Sequence, residues 1–208
     1  AQISKSNAYV ALLNRTLRGK ESWNRYLSWV NVKTGPTGKE RIIYGMYSLY
    51  DVKSEIGKAR AALAADPPMP SLDAAMNTYI EDYEAFAAIV TPMERYFERK
   101  DYMADKMAEG KTYHTQLVPV AQSFLASRAV ADKEFAILKA DLDQRELAEI
   151  EKREGKKARW HMRNVMIEAR RVVDLLPSGE RPVVDLPVFD VALNRYGVAV
   201  KEFDDFSS

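Results

Sequence analysis

The chain has no cysteine among its 208 residues. That removes disulfides, thiolate nucleophiles and cysteine-held metal centres, and it leaves the redox compartment open, because exported proteins also do without cysteine. Histidine is nearly as scarce: only His114 and His161 occur, so a multi-histidine metal centre is excluded. Lys111 and Ala158 stand three residues before them, where the Glu-x-x-His pairs of di-iron bundles need glutamate. No uninterrupted apolar run reaches the roughly eighteen residues that a bilayer-spanning helix requires. Charge of one sign is missing too. With 31 basic and 30 acidic side chains the formal net charge is +1, and no overall field draws the chain to nucleic acid or an anionic membrane. Nucleophile elbow, phosphate-binding glycine loop, H-E-x-x-H helix and EF-hand loop are all absent. The start, AQISKSNAYV, lacks the basic-then-apolar pattern of a signal peptide, so any export leader lies upstream of it.

What is present is helical periodicity. Leu72, Met76, Tyr79, Tyr83, Phe86, Val90, Met93 and Phe97 follow one another at alternating spacings of four and three, which keeps one narrow stripe facing a partner helix. Pro92 falls inside this run and predicts a kink. A first helix is expected over Ser6–Val30, with a seam of Tyr9, Leu13, Thr16, Trp23, Leu27 and Val30. The loop NVKTGPTGKER follows, then a second helix over Ile42–Ala65, opening with IIYGMYSLY and stopped by the prolines of ADPPMPS. Residues 120–176 hold no glycine but Gly155. They read as one long helix or as a hairpin turning near Lys152–Lys156, with a stripe of Ala158, Met162, Val165, Ala169, Val172 and Leu176. An extended connector is expected over 177–188, then a short helix from Phe189 to Phe206. The fold expected is all-α: an elongated antiparallel helical bundle with coiled-coil-like long helices, forming a single all-helical domain over 1–208. LDAAMNTY (72–79) echoes FDVALNRY (189–196), and the shared Asn77 and Asn194 suggest equivalent buried polar contacts on two helices.

Two stretches carry candidate chemistry. In YFERKDYMADKMAEGKTYH, residues 96–114, Asp101, Asp105 and Glu109 repeat every four residues along one helical flank. His114 is nine beyond Asp105, on the opposite side of a straight helix, so the two do not converge on a metal without a bend near Gly110. The stretch therefore reads as a solvated acidic face with a packed histidine. Tyr96, Tyr102, Asp105 and His114 are its candidate ligand or partner contacts, and no metal site, cofactor or catalytic residue is assigned. In EKREGKKARWHMRNVMIEARR, eight bases face two acids between Lys152 and Arg171. Arg159, Trp160 and Arg163 are the candidates there, since bases and an indole suit an anionic partner, and nucleic acid is the weaker form of that reading.

YVALLN, MPSLDAAMNTYIEDYEAF and YFERKDYMADKMAEGKTYHTQL, with Tyr102, Asp105, Gly110, His114 and Leu117 in order, resemble the YiiG-like family of bacterial envelope lipoproteins, a domain of unknown function. Tyr96-Phe97 stands where that family often has a tyrosine pair. The resemblance implies an all-helical, exported protein, periplasmic or associated with the outer membrane. It implies membrane attachment only through a lipid anchor on an N-terminal cysteine that this chain does not contain. The function expected is a non-enzymatic binding or structural module whose partner is an envelope protein or an anionic surface. The alternatives are a ligand-binding or hydrolytic protein with a site near His114, and a nucleic-acid binder using residues 152–171.

Overall fold

The computed structural model describes residues 2–176 and 184–207. It is an all-α helical bundle with α1 Gln2–Arg15, α2 Leu17–Leu27, α3 Lys53–Leu63, α4 Pro70–Glu98, α5 Tyr102–Asp105, α6 Ala108–Glu154, α7 Ala158–Asp174 and α8 Leu186–Ser207. The described residues contain no strand. The chain gathers into two compact units, Ala1–Phe135 and Ala136–Ser208, and α6 contributes its first part to one and its last part to the other.

The core of the first unit is the stripe of α4. All eight of its predicted members, from Leu72 to Phe97, are buried. Burying a large apolar side chain is worth roughly 1.5–3 kcal/mol relative to leaving it exposed, so this one face contributes strongly. The helix continues through Pro92. Two residues on, Glu94 accepts the Ser48 hydroxyl at 2.8 Å. Opposite α4, α6 presents Leu117, Ala121, Phe124 and Ala131, all buried, with Arg128 in the intervening helical slot. Phe124 stacks on Phe86 with centroids 4.7 Å apart and planes at 16°, and the rings of Tyr79 and Tyr83 lie 5.8 and 5.6 Å from it. The first helix divides at Thr16, whose hydroxyl donates back to the carbonyls of Leu12 and Leu13. Its seam is buried except for Leu27, which is exposed.

The expected helix over Ile42–Ala65 is only partly formed. Residues 42–52 have no regular structure, and helix begins at Lys53. Gly45 takes φ +67°, outside the right-handed helical region. The segment is instead clipped onto α2 by side chains. Arg18 and Arg25 donate to the Ser48 and Tyr44 carbonyls, Trp29 donates to the Gly45 carbonyl, and Ser22 donates to the Tyr47 carbonyl and accepts its N–H. The guanidiniums of Arg15, Arg18 and Arg25 stand 4.4, 4.0 and 4.4 Å above the rings of Tyr50, Tyr47 and Tyr47. A tyrosine every third residue suits a helix, and it suits equally an extended chain that shows one side every three residues.

In the second unit, α6 ends at Glu154, Gly155 turns with φ +75°, and α7 starts at Ala158. Leu147 and Ile150 from α6 pack with Trp160 and Ile167 from α7. The stripe predicted for α7 is not its buried face: Met162 and Leu176 are exposed, while Trp160, His161, Ile167 and Glu168 are buried. A pattern of apolar residues passes over His161, whose ring stacks on Phe203 and Phe206 of α8 at 6.2 and 4.9 Å. Of the expected connector, residues 177–183 lie outside the described residues, and 186–188 are already helix. Pro187 sits in the first turn of α8, where a missing N–H breaks no helical bond, and Asp185 accepts the Val188 N–H at 3.2 Å. The echo between 72–79 and 189–196 is not structural: Asn77 bonds Glu81 on its own helix, and Asn194 is exposed.

Candidate functional site

The stretch 96–114 is not one straight helix. Lys100, Lys106 and Met107 all take positive φ, and the chain breaks into the end of α4, the single turn α5 and the start of α6. The bend therefore sits at Lys106–Met107 rather than at Gly110. Asp105 organises the break. Its carboxylate accepts the Met107 and Glu109 N–H groups at 2.9 and 2.8 Å and the Tyr96 hydroxyl at 2.9 Å. It thus satisfies amides that the start of α6 leaves without helical partners. Desolvation pushes this carboxyl up, but the donors from Glu109, Tyr96, Met107 and Ala108 outweigh it and hold Asp105 below its ordinary range. Burial first, and then the bond to Asp105, raise the Tyr96 phenol. The acidic flank separates into individual partners: Asp101 pairs with Arg99, and Glu109 accepts from Tyr113.

His114 is held elsewhere. Its Nε2 lies 3.1 Å from the Val32 carbonyl and its Nδ1 2.8 Å from the Tyr26 hydroxyl. A carbonyl only accepts, so Nε2 carries the proton and Nδ1 accepts from Tyr26. Burial lowers the pKa of this histidine and outweighs the opposing bond to Val32. Gly35 closes over the ring: a Cβ at that position would stand 2.8 Å from His114 Cδ2, and the residue's φ is +72°. Between the two polar anchors runs an aromatic cluster, Tyr26 to Phe97 at 6.5 Å, Phe97 to Tyr96 at 5.2 Å and Tyr96 to Tyr102 at 6.4 Å. The structure thus brings Tyr96, Tyr102 and Asp105 together, and gives His114 partners of its own. Both histidine nitrogens are engaged, so the chemistry on offer is packing, capping and loop closure.

Arg159, Trp160 and Arg163 lie in the second unit. Arg163 bridges Asp143 and Glu146 at 2.7 Å each. Arg159 pairs with Glu154 at 2.8 Å, and Trp160 is buried under the Lys156 ammonium, which lies 4.6 Å from its ring centroid. Its indole therefore does not present a stacking face for a base, and two of the basic side chains are neutralised at home.

Two buried networks escape a reading of the sequence. Lys5, only 3% exposed, donates to Asp73 at 2.8 Å and to the Ala65 carbonyl at 2.9 Å, while Tyr9 donates to the other Asp73 oxygen at 2.6 Å. Burial raises the Asp73 carboxyl, but the bonds from Lys5, Tyr9 and the Met69 N–H prevail and lower it; Tyr9 is raised by burial and by that carboxylate. Arg128 donates to the Leu13 carbonyl and to the Tyr79 hydroxyl at 2.9 and 3.2 Å, and Tyr79 is hydrogen-bonded to Thr16. The only advance signal for either was Asp73 in the first turn of a helix after three prolines. The remaining unassigned feature is α8, which buries Ala199 alone and exposes Leu186, Val188, Val191, Leu193, Val198, Val200 and Phe206.

No group of three or more metal-ligating side chains is positioned to hold an ion among the described residues, and no helix there is long and apolar enough to cross a membrane. Fold and side-chain geometry together define an all-helical protein whose buried polar groups tie elements to one another. The chain belongs to the family described as "Protein of unknown function (DUF3829)", whose model matches residues 1–207. It is similar to the "Uncharacterized protein YiiG" of Escherichia coli (strain K12), 31% identical over 179 residues, covering 83% of this chain and 50% of that protein. The chain thus spans about half the length of this curated relative, and the kinship expected from the sequence motifs holds at the level of the family. No solved structure matches significantly.

Proposed function

We propose that the chain is a non-enzymatic binding module of the bacterial cell envelope. It is exported, held at the periplasmic or outer-membrane side by a lipid anchor outside this chain, and engages an envelope protein through α8. The observation that carries this reading is the composition of α8. A helix apolar on several sides normally belongs in an interior, yet α8 buries only Ala199. Leu186, Leu193 and Val200 recur along one exposed face of α8, and exposed apolar surface of this kind marks interaction sites. The heptad-spaced residues of α8 suit coiled-coil-like pairing with a partner helix. A hydrolytic site at His114 draws no support from a ring whose two nitrogens are both engaged. An anionic partner at residues 152–171 draws little from arginines already paired with carboxylates.

The test is site-specific photocrosslinking in cells from Leu193 and Lys201 of α8, with the exposed Glu84 of the first unit as control, alongside fractionation of the full-length protein. The expected result is a discrete protein adduct from Leu193 and Lys201 but not from Glu84, with the protein recovered in the envelope fraction. Adducts absent from the second unit, or equal at all three positions, overturn the docking role. Recovery in the cytosol overturns the location.

A further inference from the structure

The helix α8 carries two stripes. The inner one, Phe189, Ala192, Tyr196, Ala199 and Phe203, is buried or half-buried. The outer one is displaced from it by one residue, about 100° around the helix: Leu186, Asp190, Leu193, Gly197, Val200 and Asp204. It keeps the same alternation of four and three, and all six residues are exposed. Leu186, Leu193 and Val200 are 64%, 46% and 40% exposed, at the heptad interval of a helix–helix seam.

Gly197 lies at the middle of this outer stripe. Glycine weakens a helix interior relative to alanine, and a residue with that cost usually makes room for something. Among the described residues, apart from its chain neighbours and its own helix backbone, no heavy atom lies within 4 Å of the position its Cβ would take, so no described residue packs into the space of the missing side chain. A glycine between two exposed apolar residues lets a second helix approach closely at that point. The charge on the stripe indicates what kind of helix. Asp190 has no ion-pair partner among the described residues. A parallel pair of this chain fits poorly, because it sets Asp190 against Asp190 and places like charges together.

We propose that the outer stripe of α8 seats a basic amphipathic helix of a partner protein, crossing at Gly197, with its apolar side on Leu193 and Val200 and a lysine or arginine against Asp190. This rests on the reading of α8 as a docking surface and specifies the partner's chemistry.

The test uses the full chain and two synthetic helices of about three heptads with identical leucine seams. One carries lysine and the other glutamate at the positions flanking the seam, and binding is followed by fluorescence anisotropy at low salt. The lysine peptide is expected to bind at least about tenfold more tightly than the glutamate peptide and to weaken as salt rises. Asp190→Asn is expected to weaken the lysine peptide without moving Tm. Gly197→Ala is expected to raise Tm while weakening the same peptide, a pair of opposite shifts that a purely structural glycine does not give. Equal binding of both peptides, or binding indifferent to Gly197→Ala and Asp190→Asn, overturns the proposal. So does a chain dimer in sedimentation that Leu193→Glu dissolves. Crosslinks from Leu193 together with charge-blind peptide binding remove this inference and leave the docking role standing; no crosslink from the second unit removes the docking role itself.

Discussion

The Tyr26 hydroxyl and His114 Nδ1 lie 2.8 Å apart, although 88 positions separate the two residues in the chain. This bond, with the one from Nε2 to Val32, fixes His114 as a neutral imidazole that joins α2, the following loop and α6. Burial lowers its pKa from the ordinary 6.5. The unfolded chain therefore binds the proton more readily between the folded value and 6.5, and the histidine's contribution to stability falls as pH drops through that window. In thermal melts from pH 7.5 downward, the wild type should lose Tm below about pH 6.5 more steeply than His114→Gln, which should be less stable at neutral pH but flatter. Parallel pH profiles for the two proteins would contradict this role.

Asp73 is the counter-charge of an almost fully buried lysine. Asp73→Asn leaves the Lys5 ammonium with carbonyls alone and should cost about 3 kcal/mol in denaturant unfolding. Asp73→Asn/Lys5→Met should recover part of that loss, because it removes the stranded charge. The linkage sign is the usual carboxylate one: the Asp73 pKa is lowered in the folded state, so its contribution is present above the unfolded value and is lost as pH falls toward the folded one. A double variant no better than the single would show that the pair is not the unit of stability.

Phe124 touches the rings of Phe86, Tyr79 and Tyr83. Phe124→Ala should destabilise by about 3–5 kcal/mol through lost burial and the cavity left behind. By contrast Leu27→Ala, at a seam position that turns out to be exposed, should change stability by less than about 0.5 kcal/mol. Equal effects in chemical denaturation would contradict the placement of the core.

Arg159 and Arg163 look equivalent as letters on a basic helix, yet their surroundings differ. Arg159→Glu should be close to neutral, since its pair with Glu154 is exposed. Arg163→Glu brings a third carboxylate to Asp143 and Glu146 and should lower the Tm of the second unit clearly, by about 1–2 kcal/mol in stability. Circular dichroism melts of the two variants side by side would decide it.

The parts of the fold legible in the sequence are those where one period dominates. The α4 stripe is apolar at every slot, so its phase and its burial follow from spacing alone. The helix expected from Ile42 begins instead at Lys53, because the arginines that hold Tyr44, Tyr47 and Tyr50 in a non-helical segment come from α1 and α2, beyond any local pattern. On α7 the buried face includes His161 and Glu168, which an apolar count assigns to solvent. Tyr96, Tyr102, Asp105 and His114 are candidates from one stretch of sequence; the structure links Tyr96 to Tyr102 and Asp105 and gives His114 other partners, across a break at Lys106–Met107 that a straight-helix reading does not contain. Lys5 with Asp73 was out of reach, since the pair spans 68 positions and no local pattern links them. The outer stripe of α8 lies within a segment that the sequence marks only as a short helix.

The most direct test of the account is a melt of the triple variant Leu186→Glu/Leu193→Glu/Val200→Glu, read by helicity, combined with crosslinking from the exposed Lys201 beside that stripe. If the outer stripe of α8 exists to be covered by another protein, the variant keeps its helical content and its Tm within about 3 °C of wild type, while the partner adduct disappears. A large loss of helix, or an adduct that survives the three charges, would show that this face belongs to the chain's own interior or to no interface.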